Sequence, residues 1–92
     1  MKLNIKFLRP FSELVGKSKL EIDLHGRTLT DLLKMLVNRY PKLEKEFFTN
    51  KDELTEYICI FVNDNPISAL NGLDTELKNG DNLLFFIPVS GG

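Results

Sequence analysis

Few residues of this chain could take part in catalysis, and they are not spaced as a catalytic site. His25 is the only histidine and Cys59 the only cysteine. His25 has no second histidine or carboxylate in fixed register to make it a general base, and Cys59 has no basic neighbour in sequence to activate its thiol. Ser90 has no base near it, and the glycines are spaced as turn residues, not as a phosphate-binding loop. We therefore interpret His25 as a solvated loop residue and Cys59 as a structural one, and expect the chain to enter chemistry only as a substrate or carrier.

The carboxyl terminus offers a different kind of reactive group. The chain ends on Gly91 and Gly92, shortly after an apolar run at residues 83–87. A terminal carboxylate becomes an acyl donor when a partner enzyme esterifies it to AMP. Consecutive glycines can enter a narrow ATP site because they have no Cβ and a wide range of backbone angles. An extended segment from Ile87 to Gly92 would span about 17 Å, at roughly 3.3 to 3.6 Å per residue, which is enough to reach a site buried in a partner.

Such a tail would need further contacts elsewhere on the domain to bind its partner. Ordering five flexible residues costs on the order of 5 to 10 kcal/mol, at about 1 to 2 kcal/mol of backbone entropy each. Pro88 reduces this cost because its φ is already limited before binding. Burial of a few hundred Å² of apolar surface, at roughly 25 cal/mol per Å², would offset the remainder. The candidates are Leu84 and Phe86 or else Phe85 and Ile87, together with Cys59 and Phe61 or their neighbours of opposite parity.

Length and composition exclude several classes of protein. The chain has 92 residues, with 13 acidic and 12 basic side chains, so we expect a single domain without a strongly basic surface for nucleic acid or an anionic membrane. One cysteine excludes an intrachain disulfide and is typical of a reducing, cytoplasmic setting. The first ten residues alternate in polarity, unlike a signal peptide, and no run approaches the length of a membrane span. We expect a cytoplasmic protein with an unprocessed start and no membrane or nucleic-acid partner.

The first third of the sequence predicts a hairpin followed by a helix. Apolar residues alternate with polar ones at residues 2–7 and again at 19–24, which indicates two strands with one buried face each. Residues 11–16 between them predict a turn or one short helical turn, with Gly16 available for a positive φ. Thr28 and Asp31 resemble a capping pair. Thr28 directly precedes an amphipathic helix of about three turns that ends at Pro41 and whose apolar stripe is Leu29, Leu32, Leu33, Leu36, Val37 and Tyr40.

The remainder predicts further strands. Residues 42–55 are charged apart from one Phe pair, and we interpret them as a helical extension followed by a surface loop. Residues 57–62 are β-branched and aromatic, which predicts a third strand, and residues 63–66 form a turn cluster after which Ile67 begins a short return segment. Residues 73–77 predict a single turn, and residues 79–81 a tight one. The last strand, residues 83–87, is apolar at every position. Either both of its faces are buried in the domain, or one face binds another protein.

This order of elements predicts an α+β fold of two layers. One helix covers only one face of a sheet, so the other face meets solvent or another protein. A hairpin connected through a helix to further strands fits the β-grasp, ubiquitin-like architecture, with a mixed four- or five-stranded sheet and one main helix packed on one face. In that architecture the last strand is central, beside the first. We therefore expect one domain, residues 1–92, whose segment 88–92 is a flexible C-terminal tail.

The C-terminal residues resemble a known family. Residues 79–92 are similar to the C-terminal signature of the small subunit of molybdopterin synthase, a β-grasp (MoaD-like) sulfur carrier. That signature is a Gly-Asp turn, an apolar strand and the terminal pattern F-P-P-V-[AS]-G-G. The present chain departs from it at Ile87, where the family has proline. Element order and length agree over the whole chain, although only these fourteen residues form a motif.

The resemblance implies a cycle of activation and sulfur transfer. An adenylating, E1-like activating enzyme would use ATP on Gly92, and a sulfur donor protein would convert the adenylate to a thiocarboxylate. The tail would then enter the large subunit of molybdopterin synthase and deliver sulfur to a pterin precursor. The chain itself would bind no cofactor and no metal, and would act without catalytic side chains of its own. The residues assigned by this match are Gly92 as the sulfur carrier, Gly91 for access, and Phe86, Pro88, Val89 and Ser90 as partner contacts, to which we add Phe61 from the third strand.

Three alternatives stay open at the level of sequence. Similar β-grasp carriers supply sulfur for thiamine or another thio-pathway, although those are typically shorter and lack the F-x-P-V approach to the glycines. Ubiquitin-like modifiers join the same activated glycine to a lysine of a target protein. The third alternative is a small interaction domain in which the two glycines have no chemical role.

Overall fold

Alternating side chains build the predicted hairpin. In the computed structural model, which describes residues 1–88, β1 (Lys2–Phe7) buries its three apolar residues and exposes Lys2, Asn4 and Lys6. β2 (Lys19–Asp23) pairs with it antiparallel, with Leu3 opposite Ile22. Between the strands, α1 (Phe11–Val15) ends at Gly16, whose φ of 83° is the left-handed conformation that glycine adopts without strain. The predicted hairpin and its short helical turn are confirmed.

The main helix begins with the predicted capping interaction. α2 (Leu29–Arg39) starts after Thr28, whose Oγ1 accepts a hydrogen bond from the Asp31 backbone N–H at 3.3 Å. The Asp31 carboxylate in turn accepts from the Thr28 backbone N–H at 3.1 Å, which completes a capping box. The fully buried side chains of the helix are Leu29, Leu32, Leu33 and Leu36.

The third strand is shorter than its sequence predicts. β3 (Cys59–Val62) begins two residues late because Cys59 pairs with Phe86, the last residue of the neighbouring strand, and residues 57–58 have no strand opposite them. Tyr57, despite its β propensity, is 74% exposed. The prediction of strand structure at residues 57–58 is therefore wrong.

The return strand after β3 and the final strand also begin or end one or two residues away from their predicted positions. Asn63 and Asp64 have φ values of 49° and 70°, so the turn takes only two residues and β4 (Asn65–Pro66) returns at once. Ile67 consequently begins a 3₁₀ turn and not the return strand. The final strand, β5 (Asn82–Phe86), starts one residue early because Asn82 pairs with Asn4, and it stops before Ile87.

The five strands form one mixed sheet in the order β2-β1-β5-β3-β4. β5 is parallel to β1 and antiparallel to β3, so the last strand is central, as predicted. The inward side chains of the strands and the buried leucines of α2 belong to one hydrophobic core. The α+β, β-grasp prediction is confirmed, with five strands and one main helix.

The charged segment after α2 contributes more to the core than its sequence indicates. Pro41 opens a 3₁₀ turn (Pro41–Leu43), which is followed by α3 (Glu44–Phe47). The Phe47 ring is fully buried, with its centroid 5.7 Å from that of Phe11 and 5.6 Å from that of Phe85. The predicted helical extension is thus interrupted, and it supplies a core aromatic residue. The expected surface loop is confined to residues 49–53, where the Thr49 N–H donates to the Glu53 carbonyl at 2.8 Å.

Residues 73–77 also differ in detail from the predicted single turn. A 3₁₀ turn covers Gly72–Asp74, and Leu77 is buried in the core.

Within residues 1–88, no helix has both the length and the apolar character required to cross a membrane.

Candidate functional site

The site is built around β5, because this strand leads into the tail. Its neighbours hold it on both sides: β1 pairs with residues 82–85 and β3 with residues 83–86. Beyond β1, the Leu8 N–H donates to the Phe85 carbonyl at 3.0 Å. Ile87 packs partly against the core, and Pro88 is exposed. The predicted site residues Val89, Ser90, Gly91 and Gly92 lie outside the described residues.

The structure decides which side of β5 faces the second surface of the sheet. Leu83 and Phe85 are buried in the core, whereas Leu84 and Phe86 are half-buried on the opposite face. On β3, Phe61 is paired with Leu84 and Cys59 with Phe86. Of the two predicted alternatives for this apolar surface, the structure therefore shows the one with Leu84 and Phe86, not the one with Phe85 and Ile87.

We call this second sheet surface the open face and define it by Lys6, Lys19, Phe61, Leu84 and Phe86. The rings of Phe61 and Phe86 lie 5.7 Å apart, centroid to centroid, with an angle of 32° between their planes. The structure thus brings together the two predicted partner contacts that come from different strands. A shallow depression of about 650 Å³ crosses the open face, bounded by Lys6, Lys19 and Glu21 on one side and by Phe61, Asp64 and Leu84 on the other.

Sequence reasoning missed three residues at this site. Lys6 and Lys19 lie directly opposite each other on β1 and β2, at the margin of the apolar part of the open face. Leu8 is 42% exposed, and the alternation that buries Phe7 places Leu8 on the same side as Phe86. The alternating patterns of β1 and β2 already indicated that both lysines point outward, but only the register shows that they meet beside Leu84.

The only histidine and cysteine do not form a site together. His25 is exposed between β2 and α2, and Cys59 is a half-buried free thiol on β3. Two strands separate β2 from β3, which amounts to roughly 14 Å at about 4.8 Å per strand. Neither residue is therefore placed to activate the other.

Asp23, two residues before His25, has a lowered pKa for a structural reason. The pKa of Asp23 is lowered, mainly by a hydrogen bond from the N-terminal ammonium of Met1 at 3.1 Å, and to a smaller degree by His25 and Lys2. Within residues 1–88, no cluster of three histidine, cysteine or carboxylate side chains could hold a metal ion. In the same range, every buried side-chain nitrogen and oxygen has a hydrogen-bond partner. Within residues 1–88, the open face and the strand that leads from it are therefore the candidate site.

Comparisons with known proteins match this geometry over nearly the whole chain. The family model of the ThiS family matches residues 5–92. Small archaeal modifier protein 1 of Haloferax volcanii is 32% identical over 88 residues, which cover 95% of this chain and 97% of that protein. A crystal structure of that protein superimposes with a TM-score of 0.86 over all of both chains.

The names of two further relatives refer to sulfur transfer and to molybdopterin. A candidate sulfur carrier protein of Archaeoglobus fulgidus is 31% identical over 78 residues, covering 85% of this chain and 89% of that one. A Pyrococcus furiosus structure described as a candidate molybdopterin converting factor, subunit 1, is 30% identical, with a TM-score of 0.77 and coverage of 97% and 99%. The similarity spans the sheet, the main helix and the strand that leads into the tail.

Proposed function

The chain belongs to the ThiS family of ubiquitin-like sulfur carriers and modifiers, and from this membership we propose that it carries sulfur on Gly92 for molybdopterin synthesis. An activating enzyme would transfer AMP from ATP to the Gly92 carboxylate with release of pyrophosphate. A persulfide on a donor protein would then displace AMP at the same carbonyl carbon, and a second thiol would attack the resulting acyl disulfide, which releases the thiocarboxylate and leaves a disulfide on the donor. The large subunit of molybdopterin synthase would accept the tail and the sulfur.

The observation that carries this proposal is the position of β5. A strand bonded on both sides by β1 and β3 is held firmly, so the point at which the tail leaves the domain is fixed relative to the open face. The four residues after Pro88 can extend by about 14 Å, at up to roughly 3.6 Å each. A partner that binds the open face would therefore receive Gly92 within about 14 Å of Pro88.

The open face supplies binding energy that the tail lacks. Leu84, Phe86 and Phe61 form a continuous apolar surface across two paired strands. Covering about 200 Å² of it would contribute roughly 5 kcal/mol at about 25 cal/mol per Å², which offsets part of the cost of ordering the tail. In this proposal Phe61 and Phe86 dock the partner, Pro88, Val89 and Ser90 direct the tail, and Gly91 and Gly92 enter the partner's site.

Molybdopterin is proposed as the destination because a motif and a relative both point to it. The turn, strand and tail at residues 79–92 resemble the small-subunit signature, and the Pyrococcus furiosus relative described as a molybdopterin converting factor subunit aligns over 97% of this chain. A carrier for thiamine or another thio-pathway would use the same activated glycine, so the acceptor must be identified by experiment.

Intact-mass measurement tests the proposal. The full chain would be incubated with its activating enzyme, ATP and a sulfur source, and a mass gain equal to replacement of one oxygen by sulfur is expected. Addition of the molybdopterin synthase large subunit with the pterin precursor should then return the carrier to its original mass. A carrier that gains sulfur but keeps it in the presence of the large subunit would retain the carrier role and lose the molybdopterin assignment.

Protein modification is the second candidate function. It is favoured by the similarity to small archaeal modifier protein 1, which covers 95% of this chain. In this case the activated Gly92 would form an amide bond with a lysine of a target protein. The same incubation with cell extract would then produce a ladder of higher-mass species that contain the carrier. Absence of both the sulfur adduct and the ladder would contradict both candidates.

A further inference from the structure

Two lysines occupy an electrostatically unfavourable position on the open face. Lys6 and Lys19 are direct cross-strand partners in the antiparallel pair of β1 and β2, and both are exposed. Like charges directly opposite each other destabilise a sheet. Within the described residues, the ion pairs are Met1 with Asp23, Arg9 with Glu13 and Arg27 with Glu76, so neither lysine is neutralised there.

The acidic groups nearest this pair form no ion pair with it. Glu21 belongs to the next outward position of β2 and is opposite Asn4, and Asp64 lies in the turn between β3 and β4. Both line the same depression, but neither carboxylate comes within 4 Å of a lysine ammonium. The face is therefore positive at Lys6 and Lys19, toward the end at which β5 leaves for the tail, and of mixed charge toward the opposite end, where Lys2 accompanies Glu21 and Asp64.

The register places this positive charge beside the apolar surface. Lys19 pairs with Lys6, Lys6 with Leu84, and Leu84 with Phe61, which makes one row across four strands. At about 4.8 Å per strand, the row from Lys19 to Phe61 is roughly 14 Å long. A binding partner that matches this row would present a carboxylate about 5 to 10 Å from an apolar side chain, which is one or two strand spacings.

We propose that Lys6 and Lys19 together bind a carboxylate of the activating enzyme, with an adjacent apolar side chain of that enzyme resting on Leu84 and Phe61. This inference rests on the proposed function, because it assigns a chemical feature to the partner surface. A protein is favoured over a nucleic acid because the chain has a net charge of −1 and the same face carries Glu21 and Asp64. Pairing of an acid with the two lysines would also orient the domain so that the tail points into the partner.

The test uses the full chain and the activating enzyme, with ATP-dependent pyrophosphate exchange as the readout. The variant Lys6→Gln/Lys19→Gln removes two charges and keeps a polar, flexible side chain at each position. Its matched control is Lys42→Gln/Lys45→Gln, which removes two exposed charges in the 3₁₀ turn before α3 and in α3. We expect the first variant to raise KM for the carrier about five- to tenfold at low salt and to flatten its salt dependence, with kcat unchanged and the control within about twofold of wild type.

Each outcome decides the matter. Equal KM values and salt dependence in the two variants, with wild type fully active, would overturn the carboxylate inference and leave the proposed function intact. A wild type that is not adenylated would remove both. A fluorescent single-stranded oligonucleotide that binds wild type but not Lys6→Gln/Lys19→Gln would overturn the choice of a protein carboxylate. Because removal of the like-charge pair does not weaken the sheet, melting curves should show the first variant at least as stable as wild type.

Discussion

At the scale of single residues, Gly26 shows how closely the start of the main helix is packed. A Cβ at this position would lie 2.6 Å from the Asp31 Cβ, a separation that side chains do not tolerate. The close approach lets the Asp31 carboxylate accept hydrogen bonds from the backbone N–H groups of Arg27, at 2.9 Å, and of Thr28, at 3.1 Å. The capping box therefore depends on a glycine five residues before the residue it accommodates.

The Asp31 cap predicts a pH-dependent stability. The N–H groups of Arg27 and then Thr28 lower the pKa of Asp31 below its ordinary value of 3.8. Since the folded pKa is lower than the unfolded one, the stabilisation is complete above the unfolded pKa and is lost as pH falls through the folded pKa. We expect Asp31→Asn to melt below wild type at pH 7, and the gap to narrow below about pH 4.

Thermal melts at a series of pH values would check this prediction. Glu53→Gln is a suitable control, because Glu53 is exposed in the loop of residues 49–53 and its carboxylate makes no hydrogen bond or ion pair with the described residues. A gap between Asp31→Asn and wild type that stays constant down to pH 2 would contradict the assignment.

Gly92 is the residue on which the proposed chemistry depends. Its deletion, or the addition of one residue after it, moves the terminal carboxylate out of reach of the adenylating site. We expect either change to abolish sulfur loading in the intact-mass assay and to leave the melting temperature unchanged, because the core described within residues 1–88 consists of residues before Pro88. Normal loading of either variant would exclude the carrier role.

Phe86 is predicted to dock the partner. Phe86→Ala removes a half-buried ring that packs on Phe61 at 5.7 Å, so we expect a loss of about 2 to 3 kcal/mol in folding stability. The KM of the carrier for the activating enzyme should rise about tenfold. Val37→Ala, a half-buried apolar truncation on α2, serves as the control. If it raised KM as much as Phe86→Ala, the open face would not be the docking surface.

At the scale of elements, α3 illustrates how a charged sequence can hide a core residue. Five of the seven residues at positions 41–47 are polar, charged or proline, and the segment reads as exposed. Its 3₁₀ turn and single helical turn nevertheless direct Leu43 and Phe47 inward, and both are fully buried. A short element of this kind lacks enough residues to show a helical period, so its buried positions cannot be recognised from spacing alone.

The burial of Phe47 predicts a large effect on stability. Phe47→Ala would leave a cavity between Phe11 and Phe85, and we expect a loss of about 3 to 5 kcal/mol. Urea denaturation would measure it, with the exposed neighbour Lys45→Ala as the control, for which a change within roughly 0.5 kcal/mol is expected. A loss below 1 kcal/mol for Phe47→Ala would contradict its place in the core.

At the scale of the whole molecule, the central strand links stability to function. β5 is hydrogen-bonded on both sides and carries Phe85, which packs on Phe7, Phe11 and Phe47. Opening of this strand would break most of the sheet and the aromatic core together. The tail therefore leaves from the part of the domain that is hardest to unfold locally.

Amide hydrogen exchange would measure the local stability of β5. We expect the hydrogen-bonded amides of β5 and of its neighbour β1 to exchange only through global unfolding, and amides of residues 49–53, which are largely exposed, to exchange orders of magnitude faster. Exchange of β5 amides at the rate of that loop would contradict the anchoring role of the strand.

The sequence by itself determined the features that depend on neighbouring residues. The two alternating strands, the Thr28–Asp31 cap, the apolar stripe of α2 and the turn at Asn63 and Asp64 all follow from local spacing and backbone preference. The motif at residues 79–92, together with the order of elements, was sufficient to indicate the family and the fold.

The tertiary structure alone decided which side of each strand forms the open face. Residues 83–87 are all apolar, so their own pattern contains no parity. Pairing of Leu83 with Ile5 assigns it, because β1 alternates and must bury Ile5, and Leu84 and Phe86 are thereby turned outward. The same pairing places Lys6 beside Leu84, and the pairing of β1 with β2 sets Lys19 opposite Lys6. These relations join residues far apart in the chain, and register between strands is a property of the assembled sheet that no local sequence contains.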